Sequence, residues 1–279
     1  MTPIDGKAIA AELMTSLADR SQRLLQRGIQ PHLCFVTIGD SKPAEMYLRR
    51  LEKLGGKAGV AVSTRALPHD VTLKELDSSV ASLNGDPVVD GIIVQMPLPA
   101  HLTYADLAEI IEPRKDVDGI TIRSGGLLYL GLPGHPPSTA SAMMHILDAI
   151  GVEPRGCNAV VVGRSNVVGH PVAELLLAAS ATVTVTHSKT RDLAFHTRQA
   201  EILMVAVGRP QLITGDMIRS GVVVIDAGIN PTSDGVVGDV DFGQCKDIAS
   251  AITPVPGGVG PVTNAVLLRN LIDSAERRE

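Results

Sequence analysis

Tryptophan is absent and aromatic side chains make up only 2% of the 279 residues, three Tyr and three Phe in all. Proteins that hold single-stranded nucleic acid stack bases on such rings above a basic groove. Here the rings are scarce and the formal net charge is −5, which opposes a phosphate-tracking surface. No nucleic-acid partner is expected. Cysteine is scarce too: Cys34, Cys157 and Cys245 lie far apart, without CxxC spacing, which argues against structural zinc or any other metal and fits a reducing, cytoplasmic setting. Apolar runs of membrane-spanning length are missing. The first twenty residues, MTPIDGKAIAAELMTSLADR, show acidic residues and helical periodicity in place of a basic stretch followed by an apolar one. The sequence reads as neither exported nor membrane-inserted.

What is abundant is hydrophobic residue, 44% against 20% charged, together with 27 Gly, the balance of an α/β protein. The length accommodates two domains, each with its own core and a cleft between them. Strand-length apolar runs alternate with amphipathic stretches throughout, the pattern of parallel sheets with crossover helices. In the first half, strands are expected at 34–38, 63–67 and 91–96, and helices at 43–58, 73–83 and 104–111. After the loop Leu132-Pro-Gly-His-Pro-Pro-Ser-Thr139, strands are expected at 159–162, 181–186, 202–207 and 222–225, the order of a Rossmann-type dinucleotide-binding domain. The expected division is 1–136, rejoined by a C-terminal helix over 264–279, and 137–263 for the Rossmann domain. In open parallel sheets ligands lie beyond the carboxyl ends of the strands, so the loops after Ile38 and Met96 are candidate sites of chemistry.

Residues Ala159 to Pro171 read as a buried strand, a glycine turn and a helix start. Gly163 and Gly169 are spaced differently from GxGxxG, yet glycine still allows backbone to approach a pyrophosphate at a helix N-terminus. An ordinary strand-to-helix turn is the plainer alternative. After the next strand, where NAD enzymes usually carry an acidic residue for the ribose, stands Thr186-His-Ser-Lys-Thr-Arg191. Arg164 with Ser188, and Lys189 or Arg191, suits an adenosine 2′-phosphate, which favours NADP over NAD. The alternative there is a solvated basic loop.

Four further segments complete a pattern: Val94-Gln95-Met96-Pro97-Leu98-Pro99, Pro113-Arg114-Lys115-Asp116-Val117-Asp118-Gly119, Gly163-Arg164-Ser165-Asn166-Val167-Val168-Gly169, and Pro254-Val255-Pro256-Gly257-Gly258-Val259-Gly260-Pro261. With them the chain resembles the FolD family, methylenetetrahydrofolate dehydrogenase/methenyltetrahydrofolate cyclohydrolase, from Asp5-Gly6-Lys7 to the last helix. The resemblance implies a homodimer, a tetrahydrofolate one-carbon substrate in the cleft, and NADP as cofactor. It implies oxidation of 5,10-methylenetetrahydrofolate to the methenyl form, usually followed by hydrolysis to 10-formyltetrahydrofolate. By position, Tyr47 stacks on the aminobenzoyl ring, Gln95 sits beside the reacting bridge, Asp118 holds the pterin, and Pro256, Gly257 and Gly258 line the cleft. NADP falls to Gly163, Arg164, Ser165, Asn166, Val168, Ser188 and Ile229. The chemistry is consistent: an aminopterin edge offers neighbouring N–H donors that one carboxylate can accept. Plainer roles remain for each: a turn for Asp118, a loop tie for Gln95, core for Tyr47.

The pattern breaks at one helix. The family reads Tyr-Val-x-x-Lys with Ser three residues before the Tyr, and its lysine is assigned to the cyclohydrolase step; here Leu51 stands at the lysine position and Ala44 at the serine position. Lys53 lies about 200° round a helix from Leu51 and cannot replace it. The Pro-Cys-Thr-Pro loop becomes Pro137-Ser138-Thr139-Ala140, and the Asn after Asp-Gly becomes Ser124. Hydride transfer needs orientation of two bound molecules and no protein proton donor at the transferring carbon, whereas hydrolysis needs activated water and proton transfer, which general acid–base groups accelerate by about 10² to 10⁴. The expectation is a dehydrogenase with cyclohydrolase activity lost or weak. The alternatives are a bifunctional enzyme served by Arg50, Lys42 or another cation, and a catalytically silent folate- or nucleotide-binding protein.

Overall fold

A computed structural model of the chain describes residues 2–233 and 235–278. The elements run β1 (Thr2–Pro3), α1 (Gly6–Gln26), β2 (His32–Ile38), α2 (Lys42–Ala58), β3 (Ala61–Leu67), α3 (Leu73–Gly85), β4 (Gly91–Val94), α4 (Tyr104–Ile110) and α5 (Ile122–Tyr129). They continue α6 (Ser138–Ala149), β5 (Asn158–Val162), α7 (Gly169–Ala178), β6 (Thr182–Thr186), α8 (Leu193–Thr197), β7 (Ile202–Val205), β8 (Val223–Asp226), β9 (Asn230–Thr232), β10 (Gly235–Val237), α9 (Phe242–Cys245), β11 (Ala251–Ile252) and α10 (Val259–Glu276). Two compact units result, one comprising Glu12–Pro136 and the chain from Asn264 onward, the other the chain through Ala11 and Pro137–Thr263. No helix among the described residues is long and apolar enough to cross a membrane.

The first unit is built on a three-stranded parallel sheet, β3-β2-β4. β2 is central, paired from His32↔Ala61 to Ile38↔Leu67 on one side and from Leu33↔Gly91 to Val36↔Val94 on the other. Because successive strand residues face opposite ways, Leu33 and Phe35 enter one core with Leu17, Leu24, Leu51, Leu268 and Leu271. Cys34, Val36 and Ile38 enter another with Leu76, Val80, Leu83 and Leu107. A strand covered on both faces reads as a continuous apolar run, as this one does.

Local signals set the helix ends. The Ser41 side chain accepts from the Ala44 N–H before α2, and Gly59 ends that helix in the left-handed region at φ 70°. Capping boxes Thr72–Glu75 and Thr103–Asp106 open α3 and α4. α10 is fastened to this unit by Asn270 Nδ2 donating to the Val117 carbonyl (2.9 Å), Ser274 Oγ to Arg114 O (2.7 Å), and Arg20 forking onto Asp273 (2.5 Å) and Glu276 (2.6 Å). That helix begins at Val259, five residues before the expected start. Pro261 in its first turn gives up only an N–H that has no intrahelical partner there.

The second unit carries a six-stranded parallel sheet in the order β1-β11-β8-β7-β5-β6, with β9 and β10 as a separate antiparallel pair. The expected grouping of residues 1–136 therefore differs at its start. Thr2 and Pro3 pair with Ala251 and Ile252 at the sheet edge, a two-residue strand too short for periodicity to reveal. β5 lies between β6 and β7, so the chain winds outward in one direction from β5 and then restarts on its other side. This is the topological switch point at which open α/β sheets form a ligand crevice.

Glycine is needed at Gly91, on β4: a Cβ there would lie 2.6 Å from Leu271 and 2.7 Å from Val117 side-chain carbons. Overpacking of this kind costs about 1–3 kcal/mol. Gly91→Ala is expected to lower the thermal denaturation midpoint accordingly, with wild-type stability as the contradicting result.

Candidate functional site

In the first unit the carboxyl ends of β2 and β4 gather three of the expected residues. Tyr47, on the inner face of α2, sets its ring edge-on to Phe35 of β2 with centroids 5.9 Å apart. Burial raises its phenol above the ordinary value, and the charge of Asp118 adds to this while Arg50 opposes it, so Asp118 and Arg50 both act on the Tyr47 hydroxyl. Gln95 follows β4 and is 5% exposed. Its backbone N–H donates to Val36 O and its Nε2 to Ile38 O (2.8 Å), which ties the ends of β2 and β4 together. Its Oε1 is buried with no hydrogen-bond partner. A buried, unpaired amide oxygen is costly and points to a ligand donor or a positive centre as its missing partner.

The Lys-Asp-Val-Asp-Gly segment divides two tasks between its carboxylates. Asp116, fully buried, accepts from Ile120 N (3.0 Å), Thr121 N (2.8 Å) and Ser124 Oγ (2.6 Å). It is the turn residue. Asp118 is half-buried; burial raises the Tyr104 phenol, to which the charges of Asp116 and then Asp118 add, and the Tyr104 hydroxyl donates to Ile120 O. Ser124, at the position where the family pattern has Asn, is thus consumed within the turn.

Leu51 turns into the core. It is fully buried among the leucines of α1, β2 and α10, and Ala44, at 5% exposure, shares that core. Lys53, Lys42 and Arg50 are all exposed.

In the second unit, Gly163 ends β5 at φ 122°, and a Cβ on it would lie 2.2 Å from the Ala206 carbonyl beyond β7. A Cβ on Gly169 would lie 2.4 Å from Gly163 O. Both glycines are therefore required by the turn itself. Ser165 Oγ accepts from the N–H groups of Val168 (3.2 Å) and Gly169 (3.3 Å) at the start of α7, while Arg164, Ser165 and Asn166 are exposed. After β6, His187 and Thr190 close a short turn on themselves, leaving Ser188, Lys189 and Arg191 exposed. Ile229, after β8, is 66% exposed.

Pro256, Gly257 and Gly258 precede α10. Gly257 has φ 108°, and a Cβ on Gly6 would lie 1.9 Å from Gly258 O. The close approach at Gly258 is thus to the first turn of α1, backbone against backbone. Two buried carboxylates of this unit escaped the sequence: Asp226 at the end of β8, 2% exposed, and Asp239, fully buried. Asp226 accepts from Gly228, Asp239 and Val240 N–H groups. Apart from the local Asp226–Gly228 bond, their partners lie nine or more residues away, so no spacing rule marks them. No group of three or more His, Cys, Asp or Glu is placed to hold a metal ion among the described residues.

The family model for the catalytic domain of tetrahydrofolate dehydrogenase/cyclohydrolase matches residues 4–118, and that for its NAD(P)-binding domain matches 137–279. The chain belongs to this family. A "Bifunctional protein FolD" of Bordetella avium is 48% identical over 275 residues, covering 98% of this chain and 97% of the relative. Among family structures, the bifunctional FolD enzyme of Campylobacter jejuni superposes with a TM-score of 0.98 at 42% identity, covering all of both chains. The Trypanosoma brucei dehydrogenase-cyclohydrolase, solved with NADP cofactor and an inhibitor, gives 0.93 at 37%, covering 99% of this chain and 97% of that one.

Burial pushes the Asp226 carboxyl up from 3.8 to about 6, against three backbone hydrogen bonds that lower it. A raised folded-state value means that stability is fully present below the unfolded value and is lost as pH rises through about 6. A shift of this size corresponds to about 3 kcal/mol. Carboxyl-carbon NMR is expected to show Asp226 titrating near 6; a midpoint at the ordinary value contradicts this.

Proposed function

We propose that the chain is an NADP-dependent methylenetetrahydrofolate dehydrogenase that releases methenyltetrahydrofolate, its cyclohydrolase step lost or strongly reduced. The observation that carries the second half is Leu51, an apolar side chain sealed in the core at the position of the family's lysine.

NADP supplies a hydride acceptor. Gly163, Arg164, Ser165, Asn166 and Val168 hold it at the switch point. The fit rests on two glycines whose Cβ positions are filled by backbone and on the exposed Arg164, Ser188 and Lys189, with no acidic residue from Thr186 to Arg191. A 2′-phosphate suits that set and a bare ribose diol does not. Ile229 borders the same crevice.

On the folate side, Tyr47 offers its ring to the aminobenzoyl group and keeps its phenol protonated. Asp118 accepts two N–H donors of the pterin. The unpaired Gln95 Oε1 places the negative end of an amide dipole beside the bridge carbon, which becomes cationic as its C–H bond breaks. Fixed dipoles of this kind stabilise developing charge without reorganising. Pro256, Gly257 and Gly258 are the remaining substrate-binding residues of this reading. The working form is a homodimer in the cytoplasm.

Hydrolysis of the methenyl product requires a group that moves protons through a tetrahedral intermediate. Leu51 cannot. Arg50 favours a second reading, retained bifunctionality, because its charge reaches the Tyr47 hydroxyl and relatives bear bifunctional names.

Wild-type protein is expected to reduce NADP with methylenetetrahydrofolate, followed by nicotinamide absorbance, and to hydrolyse supplied methenyltetrahydrofolate at most about a hundredth as fast. Leu51→Lys is expected to raise hydrolysis about tenfold or more. Rapid wild-type hydrolysis that Leu51→Lys leaves unchanged supports the bifunctional reading, and absence of reduction with either NADP or NAD supports a silent binding protein. Separately, Ser188→Asp places a carboxylate against the 2′-phosphate and is expected to raise the KM for NADP about tenfold or more while changing that for NAD little. Equal effects on both cofactors would remove Ser188 from the phosphate site.

A further inference from the structure

We propose that Asp239 is a positioning residue for nicotinamide, holding the loop after β7 so that its carbonyl groups receive the ring's carboxamide. The inference rests on the NADP reading above and assigns a recognition element within it.

Asp239 is fully buried, and its carboxylate accepts four hydrogen bonds. Oδ2 accepts from Val207 N (2.6 Å) and Gly208 N (3.0 Å), and Oδ1 from Arg209 N (2.8 Å) and Asn230 Nδ2 (2.8 Å). Three consecutive backbone N–H groups thus converge on one carboxylate, a concavity that amides form around anions. The anion here is the protein's own. Three backbone N–H groups and the Asn230 amide meet it, and the loop cannot turn over without abandoning a buried carboxylate.

A trans peptide sets each carbonyl opposite the N–H of the same unit. With the N–H groups of Gly208 and Arg209 turned inward, the Val207 and Gly208 carbonyls point outward. Gly208 and Arg209 are exposed, and Gly208 takes the φ of 64° that the reversal requires. The loop's base, Ala206, touches the nucleotide turn: a Cβ on Gly163 would lie 2.2 Å from its oxygen. The crevice therefore has walls of opposite polarity. The turn after β5 presents N–H groups and Arg164, which suit phosphate. The loop after β7 presents acceptors, which repel phosphate and suit a donor.

The position agrees with the dinucleotide's polarity. Ser188 places the adenosine end beyond β6, so the other end extends across β5 toward β7 and β8. The donor at that end is the carboxamide NH2. The Asp226 carboxylate supports the neighbouring loop through Gly228 N (2.8 Å), and a Cβ on Gly228 would lie 2.4 Å from Asp239 Oδ1. The loops after β7 and β8 are thus braced on one another.

The test compares NADP with its 3-acetylpyridine analogue, in which a methyl group replaces the carboxamide NH2. Wild-type protein is expected to bind the analogue about tenfold more weakly, the worth of one buried hydrogen bond. In Asp239→Asn, affinity for NADP falls to that of the analogue, affinity for the analogue stays within about twofold, and the folate KM is unchanged. A purely structural role would instead weaken both cofactors together and lower thermal stability, which overturns the proposal, as does full retention of the wild-type preference. Should Asp239→Asn not fold, Gly208→Ala decides on the same criteria, because its Cβ meets nothing within 4 Å and disturbs only the loop backbone. Failure of wild-type protein to bind either cofactor would overturn the NADP reading along with this inference, whereas equal binding of both overturns this inference alone.

Discussion

Each unit is organised by a parallel strand that other strands flank on both sides, β2 in one and β5 in the other. Pairing on both edges satisfies the backbone of these strands, and burial on both faces fixes their register, since a one-residue slip would move every side chain to the opposite core. The ends of such a strand are then the places where direction changes and polar groups can surface. Gln95 spans the ends of β4 and β2; Gly163 turns the chain beside Ala206 at the ends of β5 and β7. The chemistry on both sides depends on this placement.

The same burial shows how the loss proposed for α2 leaves the helix in place. α2 packs Ala44, Leu51, Gly55 and Ala58 inward and leaves Tyr47 at the border. An apolar residue at 51 extends the core by one side chain and removes one ionisable group from the edge of the site. Tyr47 retains its contact with Phe35. On the function proposed above, orientation of the folate is thereby separated from proton transfer.

Much of this was legible in the sequence. Long elements with strong periodicity, such as β2, α2 and β5, appear within a residue or two of expectation, and the strand, glycine turn and helix start from Ala159 to Pro171 are found as expected. The sequence did not reveal β1, whose two residues depend wholly on β11, or the start of α10, where Gly260-Pro261 imitates a loop. Asp116 and Asp118 are alike in sequence, and burial marks Asp116 as the turn residue while leaving Asp118 partly exposed. Asp226 and Asp239 act through backbone N–H groups of remote loops, a relation that no local pattern encodes. Leu51 was visible as a departure; its enclosure in the core required the packing.

The nucleotide crevice carries its own logic. On the inference drawn above, each loop shows either donors or acceptors according to which groups the interior carboxylates and glycines draw inward. The most direct test of the central claim is the product balance of a single reaction. Wild-type protein is supplied with methylenetetrahydrofolate and NADP, and methenyl- and 10-formyltetrahydrofolate are measured against reduced cofactor. The account predicts methenyltetrahydrofolate in step with reduced NADP, with formyl product forming no faster than in protein-free buffer. Formyl product rising in step with reduced NADP would contradict it.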